Sequence, residues 1–289
     1  MAAPRPAIPG EMIDIGGRRL RLVRAGPADA DLTVLLEAGS FGYAVDWTVI
    51  QADLAQRGLR SIAYDRAGLG HSDRGPVPRD GRAILADLQA LLAASGEAGP
   101  FLYVGHSMAG LHAYLFAAAE RARLVGLVLV DAITPASAVE IAARRIARQY
   151  VRVARLAAWA AEQGLMRPFS GLGDTIGLPP GEAADKRRAF ADPLHNRGAA
   201  DEVVEWDATL AQAAAAGPLD ADLPVAVVTA GPVQIGERQR ALMAAPARAS
   251  RAGSVENVAA ANHASLLGRR HGRAIVAAIE QVRRAAART

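Results

Sequence analysis

The sequence of 289 residues contains no cysteine, and this absence excludes several kinds of chemistry. Disulfide bonds, thiolate metal sites and cysteine nucleophiles all need a thiol. Lysine is almost absent too: Lys186 is the only one, so nearly all basic residues are arginine. These arginines are scattered along the chain, and the net charge is only +4. We therefore expect no nucleic-acid partner, because nucleic-acid-binding proteins concentrate their basic residues in a patch or stripe.

Long apolar runs are missing as well. No stretch approaches the roughly 18 apolar residues that a membrane-spanning helix needs. The first 17 residues also lack the apolar segment of a secretory signal. We therefore expect a cytoplasmic protein without a membrane span. The balance of 51% hydrophobic and 21% charged residues is typical of a globular chain.

The common motifs for metals and nucleotides are not found. No two of the six histidines have the His-x-x-x-His spacing of a zinc site. The loop 65–72 contains Gly68 and Gly70, but it lacks the Gly-Lys-Ser/Thr ending of a phosphate loop and a complete dinucleotide fingerprint. We therefore predict no metal and no cofactor.

The chain does contain a regular alternation of two patterns. Short apolar runs, typical of buried strands, alternate with segments in which apolar residues recur at helical spacing. This alternation predicts an α/β protein with a mainly parallel sheet and helices on both faces. The predicted strands are 12–15, 18–24, 33–37, 60–64, 101–104, 125–130, 225–229 and 254–260. The predicted helices are 45–56, 80–95, 111–117, 237–243 and 270–288, and an Ala/Arg-rich helical segment covers 135–222.

One segment, 101–117, combines a strand, a sharp turn and a helix around a serine. Its sequence FLYVGHSMAG begins as an apolar run and breaks at Gly105. Small residues two before and two after Ser107 allow the chain to fold back and to hold this serine in a strained backbone conformation. Its hydroxyl is then exposed, and the next amide points to the same spot. We therefore predict that Ser107 is a nucleophile.

Loops after other strands contain the groups that such a serine needs. In a parallel sheet these loops meet at the carboxyl edge, where α/β proteins bind their ligands. A serine nucleophile requires a base, the base requires a carboxylate, and the developing oxyanion requires two amide donors. His263 is the candidate base and Asp131 the candidate carboxylate. The candidate donors are the amides of Met108 and of Ser40 or Phe41.

These motifs resemble those of the α/β-hydrolases over nearly the whole chain. The resemblance is carried by the turn GHSMA around Ser107, by the loop 65–72 and by the late His263. The order serine, acid, histidine is also that of the family. The resemblance implies an eight-stranded sheet with a helical cap inserted between strands 6 and 7.

The acid departs from the usual family pattern. The family commonly has it shortly after strand 7, but no aspartate follows that strand here. A minority, including some haloalkane dehalogenases, has it after strand 6, in a segment similar to the one that begins at Asp131. We therefore favour Asp131, with Glu237 as the alternative. Ala109 replaces the usual glycine of the turn, which a requirement for smallness tolerates.

The resemblance also implies a division into domains. The expected core comprises residues 1–134 and 223–289, and the expected cap comprises residues 135–222. Large side chains are the candidates for the substrate pocket. They are Trp159, Met166, Phe169 and Trp206 in the cap, and Trp47 and Phe41 next to the predicted oxyanion donors. Among the other histidines, His106 is expected to pack against the sheet without a role in proton transfer, and His71 and His112 are expected to be structural or packing residues. His195 is expected on a solvated surface of the cap, with contact to substrate as the alternative, and His271 is expected on the surface.

Together these residues predict a serine hydrolase that cleaves a small-molecule carboxylic ester through an acyl-enzyme on Ser107. A hydrolase of amides or of carbon–carbon bonds is an alternative on the same fold. Serine at position 107 argues against a dehalogenase or an epoxide hydrolase, since those use aspartate there. A ligand receptor without catalytic activity is the alternative from another class, and the presence of both Ser107 and His263 argues against it.

Overall fold

The computed structural model describes residues 9–143, 146–232 and 236–288. Its strands are β1 (Glu11–Asp14), β2 (Arg19–Ala25), β3 (Thr33–Glu37), β4 (Arg60–Tyr64), β5 (Phe101–His106), β6 (Leu124–Val130), β7 (Val225–Ala230) and β8 (Ser254–Val258). Its helices are α1 (Thr48–Gln56), α2 (Gly81–Ala94), α3 (Ala109–Ala119), α4 (Pro135–Ala143), α5 (Ile146–Glu162), α6 (Pro180–Ala191), α7 (Pro193–Val204), α8 (Trp206–Ala215), α9 (Glu237–Ala249) and α10 (Arg273–Ala286).

All eight strands form one sheet in the order β1-β2-β4-β3-β5-β6-β7-β8. β1 and β2 are an antiparallel hairpin, β2 is antiparallel to β4, and all neighbours from β4 to β8 are parallel. The central strands β3 and β5 are buried along their whole length. They are covered on both faces, which explains why they are continuous apolar runs instead of alternating patterns. The predicted α/β fold class is confirmed.

Two helices show how local sequence fixes the layers. Asp80 is the N-cap residue of α2. Its carboxylate accepts a hydrogen bond from the Ala83 amide at 2.9 Å and so satisfies a free donor of the first turn. α10 buries Ile275, Val276 and Ile279 completely, and these residues lie on one side of the helix at the spacing predicted from the sequence. α10 packs against β6 and β7.

Between β6 and β7 the chain leaves the sheet and forms α4 to α8. We call residues 135–222 the helical insertion. Its position after the sixth strand agrees with the predicted fold class. Within residues 9–143, 146–232 and 236–288, no helix has both the length and the apolar character needed to cross a membrane.

Two helices differ from the prediction. The predicted helix 45–56 is split into a 3₁₀ turn at Ala44–Trp47 and then α1. α9 continues to Ala249, six residues past the predicted end, with Pro246 inside it. A proline has no N–H for the carbonyl four residues back, here that of Leu242. Thr134 donates its hydroxyl to this carbonyl instead, at 3.2 Å, so the helix continues without an unpaired acceptor.

Gly126 in β6 allows close packing of α10, and its replacement tests this arrangement. A Cβ at this position would lie 2.2 Å from Cγ1 of Val282. We expect Gly126→Ala to lower the free energy of unfolding by about 1–3 kcal/mol, as overpacked cores do, measured by urea denaturation. Gly181→Ala in α6 is the control, because a Cβ there meets nothing within 4 Å. Equal stability of the two variants would contradict the packing of α10 on the sheet.

Candidate active site

Ser107 occupies the turn between β5 and α3 in a strained conformation. Its φ of 56° lies in the left-handed region, which costs a residue other than glycine about 1–3 kcal/mol. The backbone around it is held on both sides: its amide donates to Val130 at 3.1 Å, and its carbonyl accepts from Ile133 at 2.9 Å. A Cβ at Gly105 would lie 2.9 Å from the carbonyl oxygen of Ala109. This crowding explains why small residues flank the serine.

His263 and Asp131 are in direct contact. The Nδ1 atom of His263 lies 2.6 Å from Oδ2 of Asp131, and the Ala230 amide donates to Oδ1 of the same carboxylate at 3.2 Å. Burial by itself raises the pKa of the Asp131 carboxyl, but the hydrogen bond and charge of His263 and the Ala230 amide bring it below its usual value. The carboxylate is therefore ionised and keeps the Nδ1 proton of His263 in place.

Glu237, the alternative acid, lies elsewhere. It is exposed in the first turn of α9. Asp131 has a φ of 42°, also in the left-handed region, which directs its side chain at the end of β6. The acid that contacts His263 in this structure is Asp131.

The ring of His106 packs against the ring of His263. The two rings contact each other at an interplanar angle of 32° with centroids 4.4 Å apart, and Nε2 of His106 lies 3.1 Å from the carbonyl oxygen of His263. Burial, followed by the charge of His263, lowers the pKa of His106 to about 3. His106 is therefore neutral near pH 7 and acts as a packing partner, in line with its predicted structural role.

The loop after β3 approaches the serine closely. A Cβ at Gly39 would lie 2.6 Å from Cβ of Ser107, so only glycine permits this approach. The hydroxyl of Ser40 lies 3.4 Å from the sulfur of Met108, which precedes α3. Phe41 has a φ of 58°. The contact between Ser40 and Met108 brings their side chains together, and the positive end of the α3 dipole lies at the same place. We call residues 38–42, which contain the predicted donors Ser40 and Phe41, the oxyanion loop.

A cavity of about 370 Å³ opens beside Ser107, His106 and His263. Its apolar lining comes mainly from the helical insertion and includes Tyr150, Met166, Leu172, Ile176, Phe190 and Leu267. A larger cavity of about 600 Å³ lies between α3, the start of β6 and residues 216–224, and its described lining includes none of the predicted site residues. The smaller cavity is the candidate substrate pocket because it contains the reactive groups.

Four of the six large residues predicted to line the pocket lie elsewhere, whereas Phe41 and Met166 line the cavity. Of the described residues that line the cavity, none is Trp47, Trp159, Phe169 or Trp206. Trp47 is fully buried behind His106. Trp159 and Phe169 are more than half exposed. Trp206 is buried next to Met108. Helical periodicity shows which residues share a face, but it does not show which face turns towards the serine.

Two residues that line the cavity, His195 and Lys186, were not favoured as pocket residues by the sequence. His195, expected on a solvated surface, is only 4% exposed and accepts a hydrogen bond from the Gly70 amide on Nδ1 at 3.0 Å. Lys186 also lines the cavity, although nothing in its sequence neighbourhood marks it except that it is the only lysine.

His112, expected as a packing residue, is buried and contacts Glu37 at 2.6 Å. Within the described part of the chain, no cluster of three or more His, Asp or Glu side chains could hold a metal ion.

Comparisons with known proteins agree with this architecture. The α/β hydrolase fold family matches the sequence over residues 33–172. A putative carbamate hydrolase, RutD, from Variovorax paradoxus is 37% identical over 110 residues, which are 37% of this chain and 40% of that protein. A probable transporter, efuK, from Hormonema carpetanum is 33% identical over 129 residues, which are 43% of this chain and 18% of that protein. The chain therefore matches less than half the length of either relative.

The likeness of the fold extends over nearly the whole chain. A putative epoxide hydrolase from Pseudomonas aeruginosa aligns with a TM-score of 0.73 at 18% sequence identity, covering 99% of this chain and 100% of that one. The sequence match over residues 33–172 and the shared fold, together with the sheet described above, show that this chain has the α/β-hydrolase fold.

Proposed function

We propose that this protein is a serine hydrolase that cleaves small-molecule carboxylic esters through an acyl-enzyme on Ser107. The observation that carries the proposal is the 2.6 Å contact between His263 and Asp131, at a cavity that Ser107 also lines. A strained serine, an oriented imidazole and an ionised carboxylate are the parts that acyl transfer requires.

The first half of the reaction forms the acyl-enzyme. Oγ of Ser107 attacks the ester carbonyl while Nε2 of His263 takes the hydroxyl proton. Asp131 holds the other proton on Nδ1 and stabilises the imidazolium that results. His263 then gives its proton to the leaving alcohol as the carbon–oxygen bond of the ester breaks.

The second half releases the acid. A water molecule gives a proton to Nε2 of His263 and attacks the acyl carbon, and the same proton returns to Oγ of Ser107 as the acid leaves. In both halves a tetrahedral oxyanion develops. We infer that the amides of Met108 and of Ser40 or Phe41 donate to it, since fixed donors at this point stabilise the transition state more than the ground state.

We also infer that the helical insertion, residues 135–222, is a cap over a core made of residues 1–134 and 223–289. Five of the seven apolar side chains named above as pocket lining belong to the insertion. Under this division the core supplies the chemistry and the cap sets the size of the acyl group.

Removal of the nucleophile tests the proposal directly. Ser107→Ala should lower kcat for p-nitrophenyl butyrate by a factor on the order of 10⁶, because no other group can form the acyl-enzyme. Ser170→Ala, in the helical insertion and outside the cavity lining, is the control and should retain full activity. A fluorophosphonate probe should label the wild-type chain but not Ser107→Ala. Undiminished turnover in Ser107→Ala would overturn the assignment.

The identity of the acid is tested by a pair of variants. Asp131→Asn should lower kcat by a factor of about 10⁴, because the imidazole loses the partner that fixes its tautomer. Glu237→Gln changes an exposed carboxylate that starts α9 and should leave kcat unchanged. The two variants are compared by steady-state kinetics with the same ester. A larger loss in Glu237→Gln would move the acid to Glu237.

The size of the cavity leads to a prediction on chain length. A volume of about 370 Å³ is near the lower end for ligand pockets, which span about 300–1,000 Å³. Among p-nitrophenyl esters, kcat/KM should rise by up to about fourfold for each methylene that the cavity can bury. It should then fall for dodecanoate and palmitate. A steady rise through palmitate would show that the acyl chain binds outside this cavity.

A further inference from the structure

The only lysine of the chain lies against the oxyanion loop. Lys186 comes from α6 of the helical insertion, and its side chain is only 14% exposed. Its Nζ atom donates to the carbonyl of Phe41 at 3.1 Å and lies 2.6 Å from Oδ1 of Asp46. It is also 4.8 Å from the centroid of the Tyr43 ring. All three partners belong to the segment between β3 and α1.

The carbonyl that Lys186 holds belongs to a strained residue. Phe41 has a φ of 58°, in the region that favours glycine. Such a conformation is unfavourable for a residue other than glycine and persists only where surrounding contacts impose it. The hydrogen bond from Lys186 is a charge-assisted one, which is stronger than a neutral hydrogen bond. It therefore helps to hold Phe41 in the conformation that shapes the loop.

The charge of Lys186 is matched by a buried carboxylate. Asp46 is 4% exposed, and burial raises the pKa of its carboxyl while the ammonium of Lys186 opposes that rise. Buried ion pairs contribute little net stability, because removing both charges from water costs about as much as their attraction returns. A pair at this position is better explained by the geometry that it imposes on the loop.

The carbonyls earlier in the oxyanion loop are held in the same way. Arg66 donates to the carbonyls of Ala38 and Gly39, and its guanidinium makes two hydrogen bonds of 2.8 Å to Glu202 in α7. This pair is also buried. Three carbonyls of the loop are therefore held by cationic side chains that belong to the helical insertion or are paired with it.

We propose that Lys186 is a positioning residue, which holds the oxyanion loop in its active conformation from the helical insertion. The catalytic consequence rests on the proposed function, whereas the effect on the loop does not. Loss of one oxyanion donor costs a factor of about 10²–10³ in kcat. Displacement of the loop without loss of its donors should lower kcat by a smaller factor, about 10- to 100-fold, with little change in KM.

The test compares variants in α6. Lys186→Met removes the ammonium and keeps an unbranched side chain, and Lys186→Met with Asp46→Asn also avoids an unpaired buried carboxylate. Both should lower kcat for p-nitrophenyl butyrate by about 10- to 100-fold while KM changes less than about threefold. Lys186→Arg restores a cationic donor and should recover most of the activity.

Arg188→Met is the matched control. Arg188 lies in the same helix and contacts Asp185 at 3.1 Å, but it does not line the cavity within the described residues. The Arg188→Met variant should lose an ion pair of the insertion and keep the wild-type kcat. A similar fall of kcat in both variants would show a general effect of α6 and would overturn the positioning role.

Hydrogen–deuterium exchange supplies a readout that does not depend on turnover. Peptides that cover residues 38–47 should exchange faster in Lys186→Met than in the wild type, and at the wild-type rate in Arg188→Met. Unchanged exchange in Lys186→Met would overturn the proposal even if esters are hydrolysed. Faster exchange confined to Lys186→Met, in a protein without esterase activity, would support the loop contact and refute the proposed function alone.

Discussion

The contact between His263 and Asp131 brings together two loops that are 132 residues apart in the sequence. It is possible only because β6 and β8 are parallel and separated by β7 alone, so that their carboxyl ends lie at the same edge. The Ala230 amide at the end of β7 fills the position between them and donates to the same carboxylate. The sheet therefore sets the distance between acid and base, and the ring of His106 packs against the histidine.

Backbone strain is concentrated at this edge of the sheet. In the described ranges, three residues other than glycine have a positive φ: Phe41, Ser107 and Asp131. Each of the three lies in the loop that follows a parallel strand, and each belongs to the proposed site. Their combined cost of several kcal/mol at about 1–3 kcal/mol each is comparable with the net stability of a domain. The hydrogen bonds around Ser107 and the cations that hold the oxyanion loop are the contacts that maintain these conformations.

The sequence predicts the strands and the serine turn well, because both depend on local patterns. The runs around Val34 and Val104 are apolar throughout since both faces of the sheet are covered, and the turn needs small residues next to Ser107. Most of the pocket could not be predicted in this way. Trp159 and Tyr150 belong to the same helix, but only Tyr150 faces the cavity, and that depends on how the helix rolls against its neighbours. The roles of His195 and Lys186 likewise depend on contacts across more than 120 positions. The continuation of α9 through Pro246 depends on Thr134, which lies more than 100 residues away.

The proposed function requires that Ser107 becomes acylated during turnover. The most direct measurement is rapid acid quenching of the wild-type protein with p-nitrophenyl butyrate, followed by mass spectrometry of the tryptic peptide that covers residues 83–121. We expect one butyryl group per chain during turnover, located by fragmentation at Ser107 and absent from a sample quenched before the ester is added. Continued release of p-nitrophenol with no acyl group on this peptide, or with the acyl group on another residue, would contradict the proposed function.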